Sequence, residues 1–298
     1  MPTIADIGED ALIHRLVKDL PQGAGVLVGP GDDCAVIEAV TGDRHLLLKA
    51  DAVVEGVHFL RDAPPRLIGR KALARAVSDI GAMGGAPRHA LITLVLPQDL
   101  EVSFVEELYQ GMSDLAREFG ISIVGGETTS GSQIVISVAL SGEAEVFVAR
   151  STGCVGDAIL VTGELGGSLQ GRHFTFQPRV KEARWLVRHH RPHAMMDLSD
   201  GLGKDLPRLA AASGAEFVID PGALPCTPGC TPDHAWGDGE DYELLFTTGK
   251  DEVADLMAGW SETFPKVPLT VIGHLAALGE GRVPPFASTG WDHFLTKR

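Results

Sequence analysis

Val-Ser-Phe-Val-Glu-Glu-Leu-Tyr-Gln-Gly-Met-Ser-Asp-Leu-Ala-Arg-Glu-Phe-Gly, residues 102–120, carries the clearest structural signal in the chain. Its apolar residues recur every three or four positions up to Phe119, which predicts an amphipathic helix with one face in a core. Gly120 follows the last apolar position and is a typical stop signal. Apolar runs at 88–96 and 121–124 predict a strand on each side, so the segment indicates a helix between two strands.

The same alternation continues in both directions from this helix. Other strands are predicted at 45–50, 133–140, 158–162, 242–247 and 269–272, and other helices at 65–80, 179–189, 205–212 and 252–260. This pattern is typical of an α/β or α+β protein. At roughly 150 residues per domain, a chain of 298 residues predicts two domains. A polar turn after Ala149 places the expected boundary between residues 1–150 and 151–298.

Composition excludes several classes of function. Lysine and arginine number 25 and aspartate and glutamate number 40, so the net charge is −15. Phosphate-rich surfaces would be repelled by this charge, which argues against a nucleic-acid-binding or membrane-surface protein. The chain shows no apolar run of membrane-spanning length and no signal peptide, and we therefore expect a cytoplasmic protein.

Carboxylates stand at the expected end of a strand or helix at six places, and five of these also contain glycine. They are residues 29–33, 49–51, 78–81, 125–129, 197–201 and 237–241. Carboxylates on short loops can hold Mg²⁺ together with phosphate oxygens, and glycine lets the backbone approach a ligand closely. Each single place also fits an ordinary turn or a helix N-cap. The chain has no Walker A loop, no protein-kinase motif set and no dinucleotide-binding glycine motif, so nucleotide chemistry here would depend on metal ions.

Several of these runs resemble, in sequence and in order, the thiamine-monophosphate kinase family. That family lies in the superfamily of aminoimidazole ribonucleotide synthetase and selenophosphate synthetase. The matching runs are Gly31–Val36, Asp51–Phe59, Ser78–Gly84, Gly125–Thr128, Asp197–Leu202 and Gly239–Leu244. The resemblance implies two domains of the aminoimidazole ribonucleotide synthetase type, with mixed sheets flanked by helices, and a homodimer.

The resemblance also implies an activity: transfer of a phosphoryl group from ATP to thiamine monophosphate, directly and in line, with several Mg²⁺ ions. The implied Mg²⁺ ligands are Asp32, Asp51, Asp79, Glu127, Asp197 and Asp200, of which Asp51, Asp79 and Asp200 serve catalysis. The implied nucleotide contacts are Gly126, Glu127, Arg150 and Ser199, and the implied thiamine contacts are His58, Glu240 and Trp291. An acceptor phosphate is already a nucleophile, so positioning and metal charge would carry the reaction.

Two departures from the family pattern keep other functions open. Ala50 stands where the family usually has a hydroxyl residue, and Glu127 stands where it usually has aspartate. Glutamate is longer by one methylene, and Mg²⁺ tolerates altered geometry poorly. The alternatives are a related ATP-using synthetase with another acceptor and a protein that binds nucleotide or thiamine phosphate without turnover.

Overall fold

Two β-sheets organise the part of the chain that the computed structural model describes, namely residues 7, 10–14, 25–38, 43–282, 284, 286 and 290–294. The first sheet has the strand order β1-β2-β3-β6-β4-β5, and the second has the order β8-β10-β7-β11-β9. The strands are β1 (Val26–Val28), β2 (Ala35–Glu38), β3 (His45–Val54), β4 (Ala86–Leu96), β5 (Ser122–Ser130), β6 (Val135–Ala144), β7 (Ala158–Thr162), β8 (Ala194–Asp197), β9 (Glu216–Ile219), β10 (Leu244–Thr248) and β11 (Leu269–Ala276).

Seven α-helices with both ends among the described residues accompany these strands, and residues 10–14 are also helical. They are α1 (Pro65–Ala82), α2 (Val102–Phe119), α3 (Arg172–Thr175), α4 (Val180–His189), α5 (Leu202–Ala212), α6 (Pro232–Gly237) and α7 (Val253–Thr263). The predicted α/β fold class with sheets flanked by helices is confirmed. In the first sheet β4 and β5 are parallel and the other pairs are antiparallel, whereas the four pairings of the second sheet are all antiparallel.

Helices α1 and α2 pack together on one face of the first sheet. Gly69 and Gly111 lie at their crossing, where a Cβ on Gly69 would come within 1.9 Å of the Leu108 carbonyl oxygen. A Cβ on Gly111 would come within 1.8 Å of the Arg66 carbonyl oxygen. Only glycine allows so close an approach of two backbones. The close crossing holds α1 against α2, and α1 carries several residues of the site described below.

The other face of the first sheet is not covered by any of the helices whose bounds are given above. Because side chains alternate along a strand, Leu48, Ala50 and Leu91 lie on this face, and Leu48 and Leu91 are 39% and 48% exposed. We call it the open face of the first sheet. No described helix of the chain is both long and apolar enough to cross a lipid bilayer.

The sequence prediction ended several strands too early, and two of these errors affect predicted site residues. Strand β3 continues past residue 50 to Val54, and β5 continues past residue 124 to Ser130. Asp51 and Glu127 therefore lie within strands, where one residue of shift reverses the face on which a side chain lies. At Gly126 a Cβ would come within 1.7 Å of the Ile92 carbonyl oxygen on β4, so the glycine is a requirement of strand packing.

Candidate active site

Three buried carboxylates meet between the two sheets. Oxygens of Asp33, Asp79 and Asp197 all lie within 4.8 Å of one another, and the side chains come from the loop before β2, from α1 and from the end of β8. We call these three residues the carboxylate cluster. The sequence prediction named Asp79 and Asp197 but chose Asp32 rather than its neighbour Asp33.

Asp32 and Arg150 hold the first loop of the cluster in place. Asp32 accepts hydrogen bonds from the backbone N–H of Asp33 at 2.8 Å and of Arg150 at 2.9 Å. The Arg150 side chain donates from Nη2 to Asp33 Oδ1 at 2.5 Å. The predicted site residues Asp32 and Arg150 thus both lie at the cluster. Their roles as metal ligand and nucleotide contact stay predictions.

Burial and mutual repulsion make the cluster a poor place for three negative charges. Burial raises the pKa of Asp33 to about 6, despite the lowering effect of Arg150. Burial, together with the charge of Asp33, raises the pKa of Asp197 to about 7. Burial also raises the pKa of Asp79 well above its ordinary value, against the effect of Lys49. A divalent cation would relieve this repulsion.

Two neighbours fix the cluster's geometry. Lys49 Nζ donates to Asp79 Oδ1 at 2.8 Å. Burial lowers the pKa of Lys49, but Asp79 and Asp51 outweigh burial and raise it, so the ammonium stays charged. Ser78 Oγ donates to Asp197 Oδ2 at 2.5 Å. Asp33 Oδ2 is buried and accepts no hydrogen bond from any described residue. A hard cation with oxygen ligands fits this donor set.

A cavity adjoins the cluster and receives residues from both halves of the chain. Its lining includes the predicted residues His58, Ser199, Asp200, Glu240 and Trp291, together with Val57, Arg75, Leu169, Gly239, Tyr242 and His293. The cavity and the cluster are neighbours along the chain, since the lining residue Ser199 follows Asp197, the last residue of β8, by two positions. The structure thus brings together the predicted thiamine contacts and one predicted nucleotide contact.

Glu240 is held in place by Lys71, a buried residue of α1 that was not predicted as a site residue. Lys71 Nζ lies 2.7 Å from Glu240 Oε1 and 2.7 Å from the carbonyl oxygen of His58, to which it donates. The Lys71 side chain is 1% exposed. Burial raises the pKa of Glu240, but hydrogen bonding to His173 and the charge of Lys71 reverse this and lower it to about 2. Glu240 therefore carries its charge at neutral pH.

His58 and Asp200 are also restrained in the cavity wall. Burial and the charge of Arg75 lower the pKa of His58 to about 4, so its imidazole is neutral at pH 7. Asp200 accepts a hydrogen bond from Arg208 Nη1 at 2.7 Å. Trp291 donates its backbone N–H to the Asp200 carbonyl oxygen at 2.8 Å. The C-terminal segment around Trp291 is thereby attached to the cavity.

Glu127 and Gly126 lie apart from the cluster within one chain. In the first sheet Asp51 pairs with Val138, Val138 with Ile92, and Ile92 with Gly126. Three strand spacings of about 4.8 Å put Gly126 about 14 Å from Asp51. Asp51 faces α1, where Arg75 Nε donates to its Oδ2 at 3.0 Å. Glu127, one residue later, lies on the open face of the first sheet together with Ala50.

The residues that the sequence analysis missed are mostly basic. Lys49, Lys71, Arg75 and Arg208 each pair with a carboxylate at the cluster or the cavity. Lys49 lies on β3 and the other three lie on helices, where lysine and arginine are ordinary surface residues, so little in the sequence indicated their roles. A charged residue at an apolar helical position, as at residue 71, was the one available indication.

Comparisons with known proteins give consistent matches over most of the chain. Residues 31–144 match the family described as AIR synthase related protein, N-terminal domain. A thiamine-monophosphate kinase of Rhodopirellula baltica is 38% identical, over 88% of this chain and 87% of its own length. One of Aquifex aeolicus is 36% identical over 98% and 99%. The solved structure "AaThiL complexed with AMPPCP and TMP" superposes with a TM-score of 0.84 at 34% identity, covering 98% of this chain and 99% of that one.

Proposed function

Because this chain belongs to the thiamine-monophosphate kinase family and is therefore a phosphotransferase, we propose that it transfers the γ-phosphoryl group of ATP to the phosphate of thiamine monophosphate, forming thiamine diphosphate and ADP. The observation that carries the proposal is the carboxylate cluster beside a cavity lined by His58, Glu240 and Trp291. Departures at Ala50 and Glu127 leave this arrangement intact, since both lie on the open face.

The cluster would hold Mg²⁺ through Asp33, Asp79 and Asp197, with Asp51 and Asp200 as further candidates near them. When bound, Mg²⁺ neutralises the charge that develops on the phosphates during transfer. Lys49 and Ser78 keep two of the carboxylates in place. The acceptor phosphate needs no general base, so the chain's part is to position both phosphates in line and to exclude water. No covalent enzyme intermediate is required.

The direct test is to incubate the purified chain with Mg²⁺-ATP and thiamine monophosphate and to look for thiamine diphosphate by chromatography. We expect product only when both substrates and Mg²⁺ are present. Thiamine in place of thiamine monophosphate is the control and should give no product. ATP binding without product would favour the non-catalytic binding protein, and ATP consumption without thiamine diphosphate would favour a synthetase with another acceptor.

Mg²⁺ should stabilise the protein more at about pH 8 than at about pH 5. The pKa values of Asp33 and Asp197, about 6 and about 7, lie above that of an unfolded aspartate, about 3.9. The folded protein without metal therefore binds the extra protons, and the stability these groups contribute falls as pH rises from about 4 to about 7. Mg²⁺ must displace those protons and so binds better above this window. Thermal denaturation with EDTA and with Mg²⁺ at both pH values measures the difference; an equal gain at both would contradict it.

We also propose the predicted homodimer, with a second copy on the open face of the first sheet. This face exposes Leu48, Ala50 and Leu91 and carries Glu127. By strand spacing Gly126, the residue before Glu127, is about 14 Å from Asp51 of its own chain, so Glu127 could instead serve a second copy. Each site would then combine the cluster of one chain with Glu127 of the other. The division into domains at residues 150 and 151 and the cytoplasmic location likewise stay proposals.

Mixed dimers should show whether Glu127 acts in the neighbouring subunit. Asp79→Asn and Glu127→Ala subunits, each inactive alone, are unfolded together and refolded in equal amounts. If Glu127 serves the other subunit, every mixed dimer has one intact site, and about a quarter of wild-type activity returns. If Glu127 serves its own subunit, activity stays at the level of the separate variants. If Glu127→Ala alone is active, Glu127 serves neither site. Wild-type protein taken through the same refolding is the control.

A further inference from the structure

Two buried donors in the cavity have no hydrogen-bond acceptor among the residues that the structure describes. They are Nη1 of Arg75 and the phenolic oxygen of Tyr242. The other side of the Arg75 guanidinium is engaged, since Nε and Nη2 donate to Asp51 at 3.0 Å and 3.3 Å. Buried polar groups without partners are uncommon in native folds, and each needs an explanation.

Both groups belong to the wall of the same cavity, close to His58 and Glu240. Tyr242 is held there at some cost: its φ is 53°, in the left-handed region that non-glycine residues rarely adopt. Its ring stacks on Phe176 with centroids 3.9 Å apart and an interplanar angle of 17°. Backbone strain and buried polar groups without partners in a cavity wall are more typical of ligand binding than of core packing.

The two groups provide hydrogen-bond donors and a positive charge, and the nearby carboxylate of Glu240 is too far away to accept from Arg75. Arg75 Nη1 lies 3.9 Å from Glu240 Oε1, which is beyond hydrogen-bond distance. Burial raises the pKa of Tyr242 well above its ordinary value, with Arg75 opposing, so the phenol keeps its proton and remains a donor. An anion that carries only acceptor oxygens fits a guanidinium and a phenol together.

We propose that Arg75 Nη1 and Tyr242 Oη bind the phosphate of thiamine monophosphate and so distinguish it from thiamine; this inference rests on the proposed function. Asp51 fixes the plane of the guanidinium from the opposite side. The same carboxylate is a predicted Mg²⁺ ligand, so the acceptor phosphate would lie next to the metal centre. Arg75 and Tyr242 thereby become specificity residues, although neither was among the substrate contacts expected from the sequence.

Calorimetry with two ligands isolates the phosphate contact. Binding of thiamine monophosphate and of thiamine is measured for wild type, Arg75→Met and Tyr242→Phe, with Mg²⁺ and AMPPCP present. Loss of a hydrogen bond to a charged group should weaken thiamine monophosphate about 10–100-fold in Arg75→Met and about 10-fold in Tyr242→Phe. Binding of thiamine should change less than about 2-fold in both, because it lacks the phosphate. Tyr242→Phe should keep the wild-type melting temperature, since the hydroxyl of Tyr242 has no hydrogen-bond partner among the described residues.

Arg172→Met is the matched control. Arg172 pairs with Asp241, the residue directly before Tyr242, and lies outside the cavity lining. Arg172→Met should lower stability and weaken the binding of both ligands to the same extent.

Equal weakening of both ligands in Arg75→Met and Tyr242→Phe would overturn the inference, as would unchanged binding of thiamine monophosphate. If wild type forms thiamine diphosphate normally and both variants keep its KM for thiamine monophosphate, only this inference fails. If wild type neither binds nor phosphorylates thiamine monophosphate, the proposed function fails with it.

Discussion

Asp79→Asn is expected to lower kcat by about 10²–10³-fold or more while the protein stays folded. Asp79 is the member of the carboxylate cluster that Lys49 holds, and its oxygens lie within 4.8 Å of those of Asp33 and Asp197. Asparagine has nearly the shape of aspartate but removes a negative charge from the proposed metal site. The loss should therefore appear in turnover and in the response to Mg²⁺.

Stability separates this catalytic effect from unfolding. Burial raises the pKa of Asp79 well above its usual range, so the carboxyl is already disfavoured as an anion in the metal-free protein. Asp79→Asn should remain folded in EDTA, although Lys49 loses a charged partner, and should lose most of the stabilisation that Mg²⁺ gives to wild type. Near-wild-type kcat, or an unchanged response to Mg²⁺, would remove Asp79 from the metal site.

Asp157→Asn is a matched control for this experiment. Asp157 is also buried, 4% exposed, but lies in the connection to the second sheet. There it accepts hydrogen bonds from the Cys154 backbone N–H at 2.8 Å and from Thr247 Oγ1 at 3.2 Å. Its replacement should lower the melting temperature and leave kcat of the folded fraction unchanged. The pair of variants thus separates loss of a buried carboxylate from loss of a metal ligand.

Local sequence patterns predicted the elements best where an element has one apolar face and a clear end. Helix α2 begins at Val102 and ends at Phe119, as predicted, because Gly120 takes the left-handed conformation, with φ 69°. Strand β7 has the predicted bounds, 158–162, because it is buried along its whole length. Strand β5 was cut short in the prediction, because glycines and polar residues after residue 124 resemble a loop unless the neighbouring strand is known.

The candidate site could be predicted in its acidic residues but not in its basic ones. Glycine-flanked aspartates form recognisable runs, and Asp79 and Asp197 do meet in the fold. The basic partners of the site's carboxylates come from other parts of the chain. Lys49 and Asp79 are 30 residues apart, and Lys71 and Glu240 are 169 residues apart. A helical lysine carries no local signal for such a pair, because only the packing of α1 against the later loop creates it.

Lys71→Met should destabilise the protein by about 3–5 kcal/mol, the largest effect on stability that we expect from one substitution. The substitution keeps the apolar stem of the side chain but leaves Glu240 buried without its lysine. Glu240 would keep only the hydrogen bond from His173 and a distant contact with Arg75. Because the loop that carries Glu240 also carries Tyr242, thiamine monophosphate should bind more weakly as well. Urea denaturation followed by fluorescence measures the change in the free energy of unfolding.

A double-mutant cycle with Glu240→Gln tests whether the charge of Glu240 causes this loss. If an uncompensated buried carboxylate is the cause, Lys71→Met combined with Glu240→Gln should be more stable than Lys71→Met alone, since the amide needs no counter-charge.

The dependence of stability on acid pH gives an independent measurement. The pKa of Glu240 is about 2 in wild type, below its unfolded value, so the stability it contributes is present above about pH 4.5 and is lost toward about pH 2. Lys71→Met should lack most of this acid-sensitive contribution. Additive losses in the cycle, together with an unchanged pH dependence, would mean that Lys71 stabilises the fold by packing and not by pairing with Glu240.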